Sequence, residues 1–136
     1  MAEKDVIYSK INIVKNCLTA IEKARTQEKD DLFLQNIYEL NLQRAIQACV
    51  DMGHVVIAKE GLGLPNKYRQ CFEILHKHQV IDQTLMKKMI SMVGFRNISV
   101  HDYEAVKPEI LKSIISNHLH DFEDYCSVIY HRAQSW

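Results

Sequence analysis

Apolar residues in this chain recur three and four positions apart, and no segment alternates with period two for long enough to make a strand. That spacing constrains the fold more than any other feature. A stripe at intervals of three and four closes on a helix of 3.6 residues per turn, whereas a half-buried strand needs alternation. From Asp5 to about Thr26 the stripe is Ile7, Ile11, Val14, Leu18 and Ile21, widened by Val6, Ile13, Cys17 and Ala20. "TQEKDD" then reads as a polar connector, in which Lys29, Asp30 or Asp31 caps the next helix, an aspartate being the better acceptor.

The second helix, roughly 31 to 59, carries two stripes. One is Leu34, Tyr38, Ala45, Cys49, Met52 and Val56; the other is Leu42, Ile46, Val50 and Ile57. So wide an apolar arc must meet neighbours on several sides, which predicts a central helix. "EGLGLP", 60 to 65, breaks it. A shorter helix follows with Tyr68, Cys71, Phe72 and Leu75 on one side. Asp82 suits the N-cap of a fourth, striped by Leu85, Met86, Met89, Ile90 and Val93. Pro108 suits the first turn of a last helix, whose stripe is Leu111, Ile115, Leu119, Phe122, Cys126 and Ile129. The expected fold is all-α: one domain over residues 1–136, an up-and-down bundle of four long helices and one short one, antiparallel through short connectors.

Charge excludes some partners. Seventeen basic residues balance seventeen acidic ones, so any nucleic acid must be held by a local patch and not by a global field. "MAEKDVIYSK" is not a secretory leader, and no stretch reaches transmembrane length. Cys17, Cys49, Cys71 and Cys126 form no CxxC pair, and three of them fall in apolar stripes. The expectation is a reduced, cytoplasmic protein without a membrane partner.

"GFRNISVHDY", residues 94–103, is where chemistry concentrates. Arg96 follows Met89 by two helical turns and shares its side, so a permanent cation lies on a stripe that should be buried. It must reach a wet cleft, a carboxylate or a phosphate. His101 lies about 140° around the axis from Arg96 and about 7.5 Å along it. The two cannot meet on one small ligand unless the helix distorts, for which Gly94, Ile98 and Val100 offer weak points, or a second copy of the chain closes the site. Arginine's planar fork matches phosphate oxygens, and histidine exchanges protons near neutrality. With the 2′-hydroxyl of RNA as nucleophile, the pair can break a phosphodiester without a metal. Asn97 could add a hydrogen bond. Chance places an Arg-x4-His-x-Tyr run in such a composition roughly 0.01 times, far less often than the Arg-x4-His pair alone. The purely structural alternative ties Arg96 to Asp102 or Glu104, sets His101 against the last helical carbonyls and packs Tyr103 as a lid.

"RNISVHDY" resembles the Arg-x4-His-x-Tyr motif of HEPN-domain ribonucleases, specifically HepT toxins encoded beside an MNT-type minimal nucleotidyltransferase antitoxin. "LNLQRAIQACVDMGHVVIAKEGLGLP", "MISMVGFRNISVHDY" and "HLHDFEDYCSVI" resemble the second, fourth and last helices of that family, in order along nearly the whole chain. The resemblance implies a homodimeric helical bundle with the motif at the dimer interface. It makes Arg96 and His101 the catalytic pair, Asn97 an auxiliary, and Tyr103 the residue to which the nucleotidyltransferase adds AMP. The implied activity is metal-independent endonucleolytic cleavage of RNA, whether tRNA or mRNA, by a toxin silenced through that modification. The rival reading is a non-catalytic helical adaptor that binds the nucleotidyltransferase and presents Tyr103 to it.

Other polar residues carry less. Arg44 and Asp51 share a face of the central helix and suit a buried or interface salt link, and His54 suits a hydrogen-bonded core histidine. His118 and His120, like His76 and His78, stand at i, i+2 and point to opposite sides of an ideal helix, so no metal site or cofactor is expected. Lys67, Arg69, Lys87 and Lys88 are either a positive rim for RNA or scattered solvated charges.

Overall fold

The computed structural model describes residues 2–27 and 30–136; for Tyr103 it describes the backbone alone. Six α-helices and one 3₁₀ turn make up the described residues, with no strand: α1 (Ala2–Arg25), α2 (Asp31–Glu60), α3 (Tyr68–Lys77), α4 (Gln83–His101), the turn Tyr103–Ala105, α5 (Pro108–Asn117) and α6 (Leu119–Gln134). The all-helical expectation therefore stands, and so do most of its punctuation marks. Asp30 caps α2 by accepting from the Phe33 amide at 2.8 Å; Lys29, a rival candidate, lies outside the described residues. Gly61 ends α2 in the left-handed region at φ 65°, which a glycine enters without a Cβ penalty. Asp82 caps α4 through the Leu85 amide, and Pro108 opens α5.

One boundary differs. The stripe from Leu111 to Ile129 reads as one helix, but the chain interrupts it at His118 between α5 and α6. Apolar spacing alone does not register a one-residue kink, because buried positions resume on the same face. The kink also corrects the reading of His118 and His120. Their rings do not diverge, since His118 Nδ1 lies 3.0 Å and His120 Nε2 3.3 Å from the carboxylate of Asp121.

Helix α2 is central as expected, packing against α1, α3, α4, α5 and α6. Gly53 is where side chains of α3 and α6 press against its backbone. The side chains of Cys71, Tyr125 and Leu75 fill the space a methyl group would need there. Tyr125, fully buried, donates to the Cys49 carbonyl at 2.8 Å and stacks edge-on against Phe72 at 5.6 Å. All four cysteines are buried and free, as small hydrophobes would be. Burial, then the nearby Asp51 charge, pushes the Cys71 thiol up to about 12. At the chain's end Arg132 grips Glu60, with Nε 2.9 Å from Oε2, and Trp136 Nε1 donates to the same oxygen. The Arg132 hydrogen bond holds the Glu60 carboxyl below its ordinary range.

Two polar expectations on α2 meet different partners within the chain. Asp51 pairs with Lys10 at 3.0 Å and accepts from Gln47, while Arg44 is exposed; the tertiary neighbour on α1 wins over the intrahelical one. His54 is half-buried, but its Nε2 has no hydrogen-bond partner among the described residues. Its ring stands edge-on to Tyr68, centroids 6.4 Å apart.

Candidate active site at the end of the fourth helix

Helix α4 runs without interruption through Gly94 to His101, and the Asp102 amide still donates to the Ile98 carbonyl at 2.8 Å. The distortion allowed by the sequence is absent. Arg96 and His101 therefore keep their separation of about 140° and 7.5 Å, and do not converge within one chain.

Arg96 is half-buried, on the side of α4 that faces α3. Its guanidinium carbon lies 5.1 Å from the centre of the Tyr68 ring, a cation–π contact, and its Nη1 donates to Asn97 Oδ1 at 3.4 Å. Among the described residues no carboxylate pairs with it, so the tie to Asp102 or Glu104 is not made. Stacking on Tyr68 restricts a long side chain while leaving its hydrogen-bond donors for an incoming anion. Asn97 and His101 are both exposed. Beyond them Tyr103 begins the 3₁₀ turn, but its side chain lies outside the described residues.

Between Arg96 and His101, Ser99 points the other way. It is buried, donates to Glu39 Oε1 at 2.8 Å and accepts from Gln43 Nε2 at 2.7 Å, while Gln35 donates to the other oxygen of Glu39 at 3.2 Å. This clasp fastens the motif end of α4 to α2. Substituting Ser99→Ala strips the buried Glu39 of its shortest partner, and we expect a loss of about 1–3 kcal/mol in urea unfolding. RNA binding should weaken with it as the motif loosens.

Sequence reasoning missed Tyr68 and Glu39. Tyr68 sits on the apolar side of a short helix and reads as core; Glu39 reads as one more surface charge. Two of the four cations that could rim an RNA site are paired with carboxylates. Lys88 pairs with Asp121 at 3.5 Å and Arg69 with Glu73 at 3.5 Å. Lys87, Lys88 and Lys107 edge an apolar groove of about 540 Å³, lined by Met92, Phe95 and Val106, that runs from the motif to His118 and Asp121.

A family model described as "Ribonuclease HepT-like" matches residues 7–129. The chain belongs to this family. It is 37% identical over 128 residues to the mRNA nuclease HepT of Shewanella oneidensis, covering 92% of this chain and 96% of that one. It is 26% identical over 127 residues to the tRNA nuclease HepT of Aphanizomenon flos-aquae, covering 90% and 86%. A solved structure of the tri-AMPylated Shewanella oneidensis HEPN toxin in complex with MNT antitoxin superposes with a TM-score of 0.88 at 36% identity, covering 93% of this chain and 98% of that one. Family membership makes this HepT-like protein a helical ribonuclease of the toxin type. None of its described helices is long and apolar enough to cross a membrane.

Proposed function

We propose that this protein is the endoribonuclease toxin of a toxin–antitoxin pair, cutting RNA without a metal at a site shared by two copies of the chain. The observation that carries the reading is Arg96: a guanidinium that pairs with no carboxylate among the described residues, held on an aromatic ring, on a regular helix that turns His101 away from it. A second copy related by a twofold axis can bring its His101 to this Arg96. Exposed Leu40, Ile98 and Val100 near the motif offer apolar surface for such a contact.

The chemistry follows from the two groups. His101 removes the 2′-hydroxyl proton as that oxygen bonds to phosphorus, and the imidazolium so formed returns the proton to the departing 5′-oxygen. Arg96 stabilises the extra negative charge of the phosphorane, with Asn97 assisting. The products are a 2′,3′-cyclic phosphate and a 5′-hydroxyl. The partner is an MNT-type nucleotidyltransferase, and its AMP on Tyr103 silences the site by placing a nucleotide and negative charge where the RNA phosphate must bind. The setting is the cytoplasm.

The test uses purified, antitoxin-free protein and RNA in EDTA. Wild type should cut, leaving cyclic phosphate ends, and His101→Ala should not. Protein co-expressed with its nucleotidyltransferase should be inactive and heavier by AMP units, and Tyr103→Phe should abolish the mass increments. Equal silence from wild type and His101→Ala would favour the adaptor reading.

A further inference from the structure

The kink at His118 gathers a second cluster, outside the motif. Asp121, in the first turn of α6, is completely buried. One of its oxygens, Oδ2, lies 3.0 Å from His118 Nδ1. The other, Oδ1, accepts no hydrogen bond from any described residue, although His120 Nε2 is 3.3 Å away and the Lys88 ammonium 3.5 Å. A buried carboxylate oxygen met only by an ion pair at 3.5 Å, and by no hydrogen bond, is incompletely satisfied and leaves room for a closer cation. Its neighbours supply the rest of a ligand set. His120 and Asp124 stand one helical turn apart on one face, as do Asp121 and Asp124, and one donor atom from each of the three residues lies within 4.8 Å of the others. Ligands of a tetrahedral ion with bonds of about 2.1 Å stand about 3.4 Å apart, so rotamer adjustments of the exposed His120 and Asp124 suffice.

We propose that His120, Asp121 and Asp124 bind a divalent transition-metal ion such as Zn²⁺, with His118 orienting the Asp121 carboxylate through its second oxygen. An imidazole with two carboxylates suits zinc or its first-row neighbours better than calcium or magnesium, which take oxygen ligands alone. The buried carboxylate held by His118 is the kind of outer support that metal ligands use. Lys88 competes, because its ammonium occupies the same side of Oδ1, and the ion displaces it. The site is structural or regulatory and takes no part in RNA cleavage: along α4, Lys88 lies about 12 Å from Arg96 and about 20 Å from His101. Metal binding and EDTA-resistant cleavage are therefore separate properties of one chain, and failure of either leaves the other standing.

Calorimetric titration of tag-free protein with Zn²⁺ tests the assignment. One ion should bind per chain. His120→Ala and Asp124→Asn, both at exposed positions, should weaken binding at least tenfold, while His78→Ala leaves it unchanged. Lys88→Gln should tighten it about tenfold by removing the competing charge. Circular dichroism of each variant establishes that it is folded. Absence of stoichiometric binding overturns the proposal, as does an affinity indifferent to His120→Ala and Asp124→Asn. An affinity that Lys88→Gln leaves unchanged or weakens would remove Asp121 Oδ1 from the site and overturn it equally.

Discussion

A dimer assembled from one Arg96→Ala chain and one His101→Ala chain should cut RNA at about half the wild-type rate, although neither variant cuts alone. Each homodimer lacks one essential group at both sites, and losing a proton-transfer group or a charge stabiliser costs about 10²–10⁴-fold in rate. In the mixed dimer, one site joins the mutated arginine to the mutated histidine and is dead. The other joins the intact Arg96 of the second chain to the intact His101 of the first. The expectation rests on α4 being a regular helix, so that Arg96 and His101 of one chain face directions about 140° apart. Had both groups come from the same chain, each site of the mixed dimer would lack one of them and no activity would return. Two affinity tags, removed in turn, isolate the mixed species, and RNA cleavage in EDTA reads it. Silence from that species, with active wild type, would refute pairing across the interface while leaving the nuclease intact.

Replacing a helical glycine by alanine should have opposite effects at two positions. Gly53→Ala should destabilise the protein by about 2–3 kcal/mol, whereas Gly94→Ala should stabilise it by about 0.5–1 kcal/mol. Both lie inside helices, where alanine is worth up to about 1 kcal/mol over glycine. At Gly94 a methyl group meets nothing within 4 Å, so the propensity gain is kept. At Gly53 it would overlap Cys71 Sγ and come within 3.0 Å of the Tyr125 hydroxyl and 3.2 Å of Leu75 Cδ1. Relieving that overlap parts α3 and α6 from α2 and strains the buried bond from Tyr125 to Cys49. Overpacking of about 3 kcal/mol, with part of a hydrogen bond, outweighs the gain. Thermal unfolding of the two variants beside wild type decides the matter; a lowered midpoint for Gly94→Ala or an unchanged one for Gly53→Ala would contradict it.

Much of this protein is legible without coordinates. The helical stripes, the aspartate caps of α2 and α4, the break at Gly61 and the proline at the start of α5 all depend on residues within a turn of one another, which a reader of the chain can align. The motif is equally local, and its angular argument survives because α4 stays regular. What holds the motif is not local. The clasp under it joins Ser99 to Glu39 across 60 positions, and Arg96 is stacked on an aromatic ring from another helix. Nothing in either partner's own neighbourhood marks it for that task. The meeting of His118 and His120 at Asp121 came from a one-residue interruption that apolar periodicity does not register. Sequence by itself determined which faces of these helices are apolar and which side chains the chemistry could use, because both are properties of spacing and residue type. Tertiary structure decided which polar groups meet, because an ion pair or a stacked ring goes to whichever partner the packed bundle brings within a few ångströms, however far apart the two lie along the chain.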